Sequence, residues 1–305
     1  MRGRLLGPVM LVLASLLWGS SFPTIKVLMS SVDPATYVWL RGLFSTLLLA
    51  PYVAWRAVRG GLDRSALRGG LRAGAAYTAG LWLQGWGTAY TTASNSAFIT
   101  ALHVVFVHAY VALVSRRYGA RLGLALVACV IGAYMLTGPS TGLNRGDLLV
   151  LIGSLGWAAQ VILVSRYCRG DPLQFVFAQF LASISLAAPD LLRGGPEPLS
   201  PIDVALLFYL AAASGVGAFA LQVVGQRSVD PAAASVIFQL EPVFAAALAR
   251  LAIGETMSCM QMAGATLIVF STMLVGAFDR ELSARARSSE PLEPTPRGAR
   301  PALFS

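Results

Sequence analysis

Apolar residues form ten long runs along the chain, separated by short polar segments. The runs are centred near residues 18, 47, 81, 104, 129, 156, 182, 214, 243 and 268. An α-helix needs about 20 predominantly apolar residues to cross the hydrocarbon layer of a membrane. The pattern therefore predicts an all-α integral membrane protein with ten transmembrane helices. The first run continues past Trp18 without a cleavage site, so we expect it to be retained rather than removed as a signal peptide.

Composition excludes several other classes. The 305 residues are 56% hydrophobic and only 12% charged, whereas soluble domains carry roughly 25% charged residues. The net charge of +9 does not indicate nucleic acid binding, because the basic residues fall between apolar runs rather than on one polar face. Cys129, Cys168 and Cys259 are far apart in the sequence. This spacing does not indicate a disulfide framework, a metal site or a cofactor.

The basic residues also predict an orientation. With the N-terminus in the cytoplasm, most of the 23 Lys and Arg residues lie on the cytoplasmic side. The exceptions are Arg145, Arg193 and Arg250 on the opposite side, and Lys26 and Arg41 within spans. Such a bias predicts that both termini lie in the cytoplasm. Residues 280–305 are rich in Arg, Ser, Glu and Pro, which predicts a disordered cytoplasmic tail.

The chain resembles itself at a shift of 138 residues, which indicates an internal duplication. The matched polar and proline positions are Asp33-Pro34 with Asp171-Pro172, Pro51 with Pro189, and Gln84 with Gln222, while Trp18 meets Trp157 at a shift of 139. Five spans per half is an odd number, so the second half must cross the membrane in the opposite sense. We therefore predict two inverted five-helix repeats, residues 1–139 and 140–279, around a site that opens to either side, as in alternating-access transporters.

Several motifs resemble those of the EamA family, within the drug/metabolite transporter superfamily. In chain order they are Trp18-Gly19-Ser20-Ser21-Phe22, Arg41, Gly146-Asp147, Trp157, Leu240-Glu241-Pro242-Val243-Phe244 and Gly254-Glu255. The resemblance covers roughly residues 7–278 and implies an inner-membrane exporter of amino acids or other small metabolites. The fourth helix lacks the prolines usual in the family near His103 and His108, which predicts a straighter helix there.

Glu241 and His103 are candidate site residues at mid-membrane depth. Helix nine starts near Ala232, which puts Glu241 roughly 14 Å inside the membrane. Because a carboxylate facing lipid is costly, we expect Glu241 to face a cavity, where proton coupling or contact with a cationic group is the functional hypothesis and helix packing is the alternative. His103 occupies the matching depth in the first half, so a relay between the two is conceivable, although a core histidine is the simpler interpretation.

Cationic, aromatic and amide residues complete the predicted binding site. Lys26, the only lysine of the sequence, and Arg41 are candidates to hold a substrate carboxylate, or to reach the membrane interface instead. The remaining candidates suit an amphipathic metabolite, with helix packing as the alternative. They are Trp18, Gln84, Trp86, Tyr90, Trp157, Gln160 and Gln222.

Other functions have weaker support in the sequence. We find no metal-ligand, nucleophile or paired-carboxylate motif, so an enzyme is not expected. A multidrug or nucleotide-type metabolite carrier of the same superfamily and a membrane channel stay open as alternatives. The expected partners are a small-molecule metabolite and membrane lipid; protons are a candidate co-substrate, a homodimer is an open alternative, and nucleic acid is not expected.

Overall fold

The computed structural model describes residues 2–91, 93–114, 119–138, 144–253 and 258–288. All regular secondary structure in these ranges is helical. The first half contains α1 (Arg2–Gly19), α2 (Ser21–Leu28), α3 (Pro34–Val58), α4 (Arg64–Tyr90), α5 (Ala93–Ala101), α6 (His103–Val114) and α7 (Ala120–Thr137). This half begins and ends with apolar helices, as the hydrophobic pattern predicts.

The second half begins with a single long helix and is more often interrupted afterwards. Its α-helices are α8 (Arg145–Tyr167), α9 (Pro172–Ser183), α10 (Ala188–Leu192), α11 (Pro201–Tyr209), α12 (Ala218–Gly225), α13 (Pro231–Phe238), α14 (Leu240–Ile253) and α15 (Cys259–Ser288). A 3₁₀ turn, Ile184–Ala187, joins α9 to α10, and a π-helix, Leu210–Gly217, joins α11 to α12. Helix α15 includes residues 280–288 of the predicted disordered tail, and the rest of that tail lies outside the described residues.

Seven stretches of the described chain are long and apolar enough to cross a membrane. They are Pro34–Val58, Ser96–Val114, Ala120–Thr137, Arg145–Tyr167, Pro172–Leu192, Pro201–Gly225 and Pro231–Leu248. Two shorter apolar helices, Leu6–Gly19 and Cys259–Leu274, flank them. Helix α4 has 27 residues, but its first turns carry three arginines and it is not among the seven. The prediction of a helical membrane fold is confirmed. Length and hydropathy alone support seven of the ten predicted spans.

Aspartate-proline pairs start several of these helices. The Asp33 carboxylate accepts hydrogen bonds from the backbone N–H groups of Ala35 (2.8 Å) and Thr36 (3.5 Å) at the start of α3. Asp171 begins α9 and Asp230 begins α13 in the same way. Proline fits the first helical position because its missing N–H has no partner to lose there. The Asp-Pro pairs that the sequence repeats, Asp33-Pro34 and Asp171-Pro172, therefore act locally as helix starts.

The prediction of a straighter fourth helix is wrong, because the helix breaks at Leu102 between α5 and α6. The break leaves the Ala101 carbonyl without its helical partner. The Gln239 side-chain amide, at the matching break between α13 and α14, donates to this carbonyl at 2.9 Å. A side chain that satisfies a freed backbone group allows a break without proline.

Duplicated helices pack against each other across the two halves. Helix α3 packs on α9, α6 on α13 and α7 on α15, while α4 packs on α8 and α1 on α12. In the first pair Gly42 contacts Ser183, whereas Tyr52, further along α3, contacts Asp171, nearer the start of α9. The same opposite progression holds for the second pair, where Ala101 meets Gln239 and His108 meets Ala232. The two copies of each of these helices therefore run antiparallel.

Glycine residues lie where these helices approach each other most closely. A Cβ atom on Gly156 of α8 would lie 2.7 Å from the Gly80 backbone nitrogen of α4, and one on Gly264 of α15 would lie 2.6 Å from the Gly132 carbonyl oxygen of α7. Small residues let helix backbones approach in this way within membranes. The close pairs hold the two halves together on either side of the central site.

Candidate functional site

A cavity lies between the two halves near the centre of the molecule. Its volume is about 60 Å³, and its lining comes from α1, α2, α3, α4, α5, α6, α8, α12, α13 and α14. The lining residues are Trp18, Ser21, Ile25, Arg41, Leu81, Gln84, Thr100, His103, Trp157, Gln160, Val161, Phe219, Gln222, Phe238 and Glu241. Both halves contribute, so any relative motion of the halves changes the shape of this cavity.

Arg41 is the cation of the cavity lining. It lies one and a half to two turns into α3 and is 3% exposed. Its Nη1 donates to the Tyr37 hydroxyl (2.6 Å), one helical turn earlier, and its Nη2 donates to the Ser214 hydroxyl (3.0 Å) of the π-helix. Its Nε atom is buried and has no hydrogen-bond partner in the described structure. Hydrogen bonds therefore hold both terminal nitrogens of the guanidinium, and its Nε–H group is an unused donor.

Glu241 is the acidic residue of the lining, and it sits in the first turn of α14. Among the described residues it takes part in no ion pair and no hydrogen bond, and Arg56 with Asp171 forms the ion pair found there. The backbone around it is tightly packed, since a Cβ on Gly19 of α1 would lie 2.7 Å from the Glu241 carbonyl oxygen. Its charge interacts with that of Arg41. Without a hydrogen-bond partner among the described residues, the carboxyl group is available to a proton or to a cationic group of a solute.

Amide side chains form the polar floor of the cavity. The Trp157 indole N–H donates to Gln84 Oε1 at 2.8 Å. Gln160 and Gln222 exchange two reciprocal amide hydrogen bonds, each 3.0 Å long. The three glutamines are buried, and all four side chains are paired, so this part of the lining is held in place by hydrogen bonds.

Aromatic rings form the opposite wall. The Trp18 ring packs edge-on against Phe219 and Phe238, with both centroid separations 5.1 Å. Its indole N–H donates to the Ser214 carbonyl at 3.0 Å. Tyr77 packs edge-on against Trp157 behind this wall, with ring centroids 5.7 Å apart. Edge-to-face contacts of this kind hold the rings in fixed orientations.

Most of the residues predicted to bind substrate meet in this cavity. Those that do are Trp18, Arg41, Gln84, His103, Trp157, Gln160, Gln222 and Glu241. Their role in binding stays a prediction. The His103 ring nitrogen Nδ1 lies 2.9 Å from the Thr100 carbonyl oxygen, as expected of a core histidine, although His103 also lines the cavity together with Glu241.

Trp86 and Tyr90 lie outside this cavity. Trp86 is 39% exposed and stacks on Trp82 at 5.7 Å, and Tyr90 is 44% exposed with the Arg145 guanidinium 3.8 Å above its ring. Neither lines the cavity. The Lys26 side chain lies outside the described part of the structure.

Two residues that accept hydrogen bonds from Arg41 escaped the sequence analysis, namely Tyr37 and Ser214. Tyr37 carries a readable signal, because a residue four positions before Arg41 shares its helix face. The sequence contains no such signal for Ser214. Its duplicate position in the first half is Ala76, and nothing in an apolar stretch of small residues marks a π-helix.

A helical membrane fold whose two halves enclose a polar, aromatic-lined cavity defines a membrane transporter. The sequence model of the EamA-like transporter family matches residues 5–138 and again residues 144–277. The chain therefore belongs to the EamA-like transporter family, which confirms the resemblance seen in its motifs. The two matched ranges lie within the two halves described above.

Individual relatives agree with this assignment. The chain is 30% identical over 275 residues to a protein named uncharacterized transporter from Archaeoglobus fulgidus, which covers 89% of this chain and 86% of the relative. It is 26% identical over 293 residues to the uncharacterized inner membrane transporter YedA of Escherichia coli (strain K12), covering 90% and 92%. A protein of known crystal structure has the same fold, with a TM-score of 0.73 at 17% identity over 90% of this chain and 98% of that one.

Proposed function

We propose that the protein is a secondary transporter of the inner membrane that exports amino acids or related small metabolites by alternating access. The observation that carries this proposal is a cavity whose lining contains both Arg41 and Glu241, together with aromatic rings and amide side chains. An arginine suits a carboxylate, a free carboxylate suits an ammonium group, and aromatic rings suit an apolar side chain. An α-amino acid carries all three features.

The proposed membrane arrangement has ten spans in two inverted repeats, with both termini in the cytoplasm. The seven stretches of sufficient length and hydropathy, the two shorter apolar helices and α4 together supply ten candidates. The antiparallel packing of the duplicated helices supports inversion, and the distribution of arginines supports the orientation. Alternating access then follows from rocking of one half against the other around the cavity.

The cavity volume favours a compact substrate. A water-sized group needs about 10–15 Å³ on this measure, so 60 Å³ holds a solute of few heavy atoms. A nucleotide-type metabolite would need a much larger chamber and more cations for its phosphates. This size favours the amino acid class over the nucleotide alternative in the conformation described here.

Counterflow in proteoliposomes tests the proposal. Purified protein is reconstituted with internal unlabelled L-alanine, L-threonine or L-leucine, and entry of the labelled amino acid is followed. A carrier gives saturable, transient accumulation that depends on the internal solute, whereas a channel gives none. Absence of accumulation with any of the amino acids, or accumulation only with bulky drugs, would contradict the proposal.

A pair of tryptophan variants tests the site within the same assay. Trp157→Phe removes the hydrogen bond to Gln84 while keeping an aromatic ring, and we expect about a fivefold loss of counterflow efficiency, the equivalent of one hydrogen bond. Trp86→Phe makes the same substitution at a tryptophan that does not line the cavity. Equal effects of the two substitutions would show that the cavity is not the binding site.

A further inference from the structure

The π-helix Leu210–Gly217 is the part of the site that the duplication does not explain. Its counterpart in the first half, within α4, is a regular α-helix. A π-helical segment is uncommon, and such segments are often found at functional sites because the wider turn frees backbone groups from the regular hydrogen-bond ladder. Two carbonyls of this segment accept hydrogen bonds from side chains of the first half, Ala211 from Ser45 (3.2 Å) and Ser214 from Trp18 (3.0 Å).

Ser214 joins the charged and the aromatic sides of the cavity. Its hydroxyl accepts a hydrogen bond from Arg41 Nη2 (3.0 Å) and donates to the Leu210 carbonyl (3.1 Å). Its carbonyl holds the Trp18 indole, and the residue is fully buried. A serine that only satisfies the preceding turn of its own helix would need the Leu210 contact alone. The contacts to Arg41 and Trp18 reach two different helices of the other half.

Arg41 depends on these contacts for its orientation. The Tyr37 hydroxyl engages Nη1 and the Ser214 hydroxyl engages Nη2, so the guanidinium plane is fixed at both ends. The buried Nε atom of this cavity-lining residue has no hydrogen-bond partner in the described structure and is a donor that these two contacts leave unused. Arginine recognises a carboxylate through a planar fork, and this recognition depends on the orientation of the plane.

We infer that Ser214 is a positioning residue that gives the transporter its selectivity for a carboxylate. Its hydroxyl acts through Arg41, by fixing the orientation in which the guanidinium meets the solute. Its backbone carbonyl holds the Trp18 ring beside the same cavity. The substrate class that follows is a compact solute with a free carboxylate. This inference rests on the proposed function, because it concerns the same cavity.

Competition by a carboxamide analogue tests it. Counterflow of labelled L-alanine is inhibited by unlabelled L-alanine or by L-alaninamide, and the ratio of the two inhibition constants measures the preference for a carboxylate. In the wild-type protein we expect L-alanine to bind about tenfold or more tightly, since a site that hydrogen-bonds one group rejects an analogue that lacks it. Ser214→Ala should reduce this ratio to less than about threefold while transport continues.

Three further variants separate positioning from general stability. Ser214→Thr keeps the hydroxyl and should restore the wild-type ratio, and Tyr37→Phe removes the other hydroxyl on the guanidinium and should lower the ratio as Ser214→Ala does. Ser45→Ala is the matched control, because Ser45 is equally buried and contacts the same π-helix through Ala211, but has no hydrogen bond to Arg41.

The outcomes distinguish this inference from the proposed function. A wild-type ratio in both Ser214→Ala and Tyr37→Phe overturns the inference while leaving the transporter intact, as does an equal loss of selectivity in Ser45→Ala. If wild-type protein shows no saturable counterflow of L-alanine or any other amino acid tested, the proposed function fails, and the inference fails with it. Loss of selectivity in Ser214→Ala and Tyr37→Phe, with Ser45→Ala unchanged, supports the inference.

Discussion

Removal of the Asp171 carboxyl should destabilise the protein far more than removal of its duplicate, Asp33. Both aspartates start a helix by accepting backbone hydrogen bonds, Asp33 for α3 and Asp171 for α9. Only Asp171 also joins the two halves, because its Oδ2 accepts a hydrogen bond from the Tyr52 hydroxyl of α3 (2.6 Å). The pair therefore offers the same substitution with and without the contact between halves.

The expected magnitudes follow from these contacts. Loss of a helix N-cap costs about 1 kcal/mol, which is the whole effect expected for Asp33→Ala. A hydrogen bond to a charged group contributes about 1.5–3 kcal/mol, so Asp171→Ala should cost about 2.5–4 kcal/mol in total. The Arg56 ion pair, 3.6 Å long with a partly exposed arginine side chain, adds little.

Thermal unfolding in detergent, followed by tryptophan fluorescence, measures the difference. At neutral pH we expect the midpoint of Asp171→Ala to fall at least about twice as far as that of Asp33→Ala, in proportion to the free energies above. Equal decreases would refute the reasoning, because they would mean that the contacts of Asp171 with α3 contribute nothing. A Tyr52→Phe variant, which removes one of these contacts and leaves the cap intact, should fall between the two.

The contribution of Asp171 to stability should also depend on pH. Burial opposes ionisation of Asp171, but hydrogen bonds from Tyr52 and from the Gln174 and Leu173 backbones outweigh it and keep the pKa of this carboxyl below its usual value. A carboxyl with a lowered pKa stabilises the folded state above its unfolded pKa of about 3.9 and loses this contribution as the pH falls through its folded pKa. The difference between wild type and Asp171→Ala should therefore persist at neutral pH and shrink below about pH 4. A difference that is constant down to pH 3 would contradict this assignment.

Three other predictions concern packing and coupling. Cysteines that replace Gly42 and Ser183 should form a disulfide between α3 and α9 on oxidation, because a Cβ at Gly42 would lie 3.2 Å from the Ser183 Cβ. Mass spectrometry detects this disulfide. Failure of the two cysteines to oxidise would argue against the contact. Gly156→Ala should cost about 1–3 kcal/mol by overpacking, since its Cβ would lie 2.7 Å from the α4 backbone, whereas Gly217→Ala, with no atom nearer than 3.4 Å, should not. Glu241→Gln should abolish accumulation driven by a pH gradient in proteoliposomes, and wild-type accumulation would exclude Glu241 from proton coupling.

Much of the candidate site follows from depth and register along the sequence. Trp18, Gln84 and their duplicates lie near the middle of apolar runs, where a polar or amphipathic group needs a protein partner. The position of Trp86 and Tyr90 outside the cavity can also be read from the helical periodicity. Trp86 is two residues after Gln84 and so points about 200° away from it, and Tyr90 also points away from Gln84 on the same helix.

By itself, the sequence determined the membrane class, the duplication and the family, because hydrophobic run length and repeat register are properties of the chain alone. It could not determine how helices rotate and approach each other, since these depend on packing between residues far apart in the chain. The break at Leu102, satisfied by Gln239 from the other half, is one such case. The π-helix that brings Ser214 to Arg41 is another, because Arg41 and Ser214 are 173 residues apart in the sequence. Only the tertiary structure brings their hydrogen-bonding groups together.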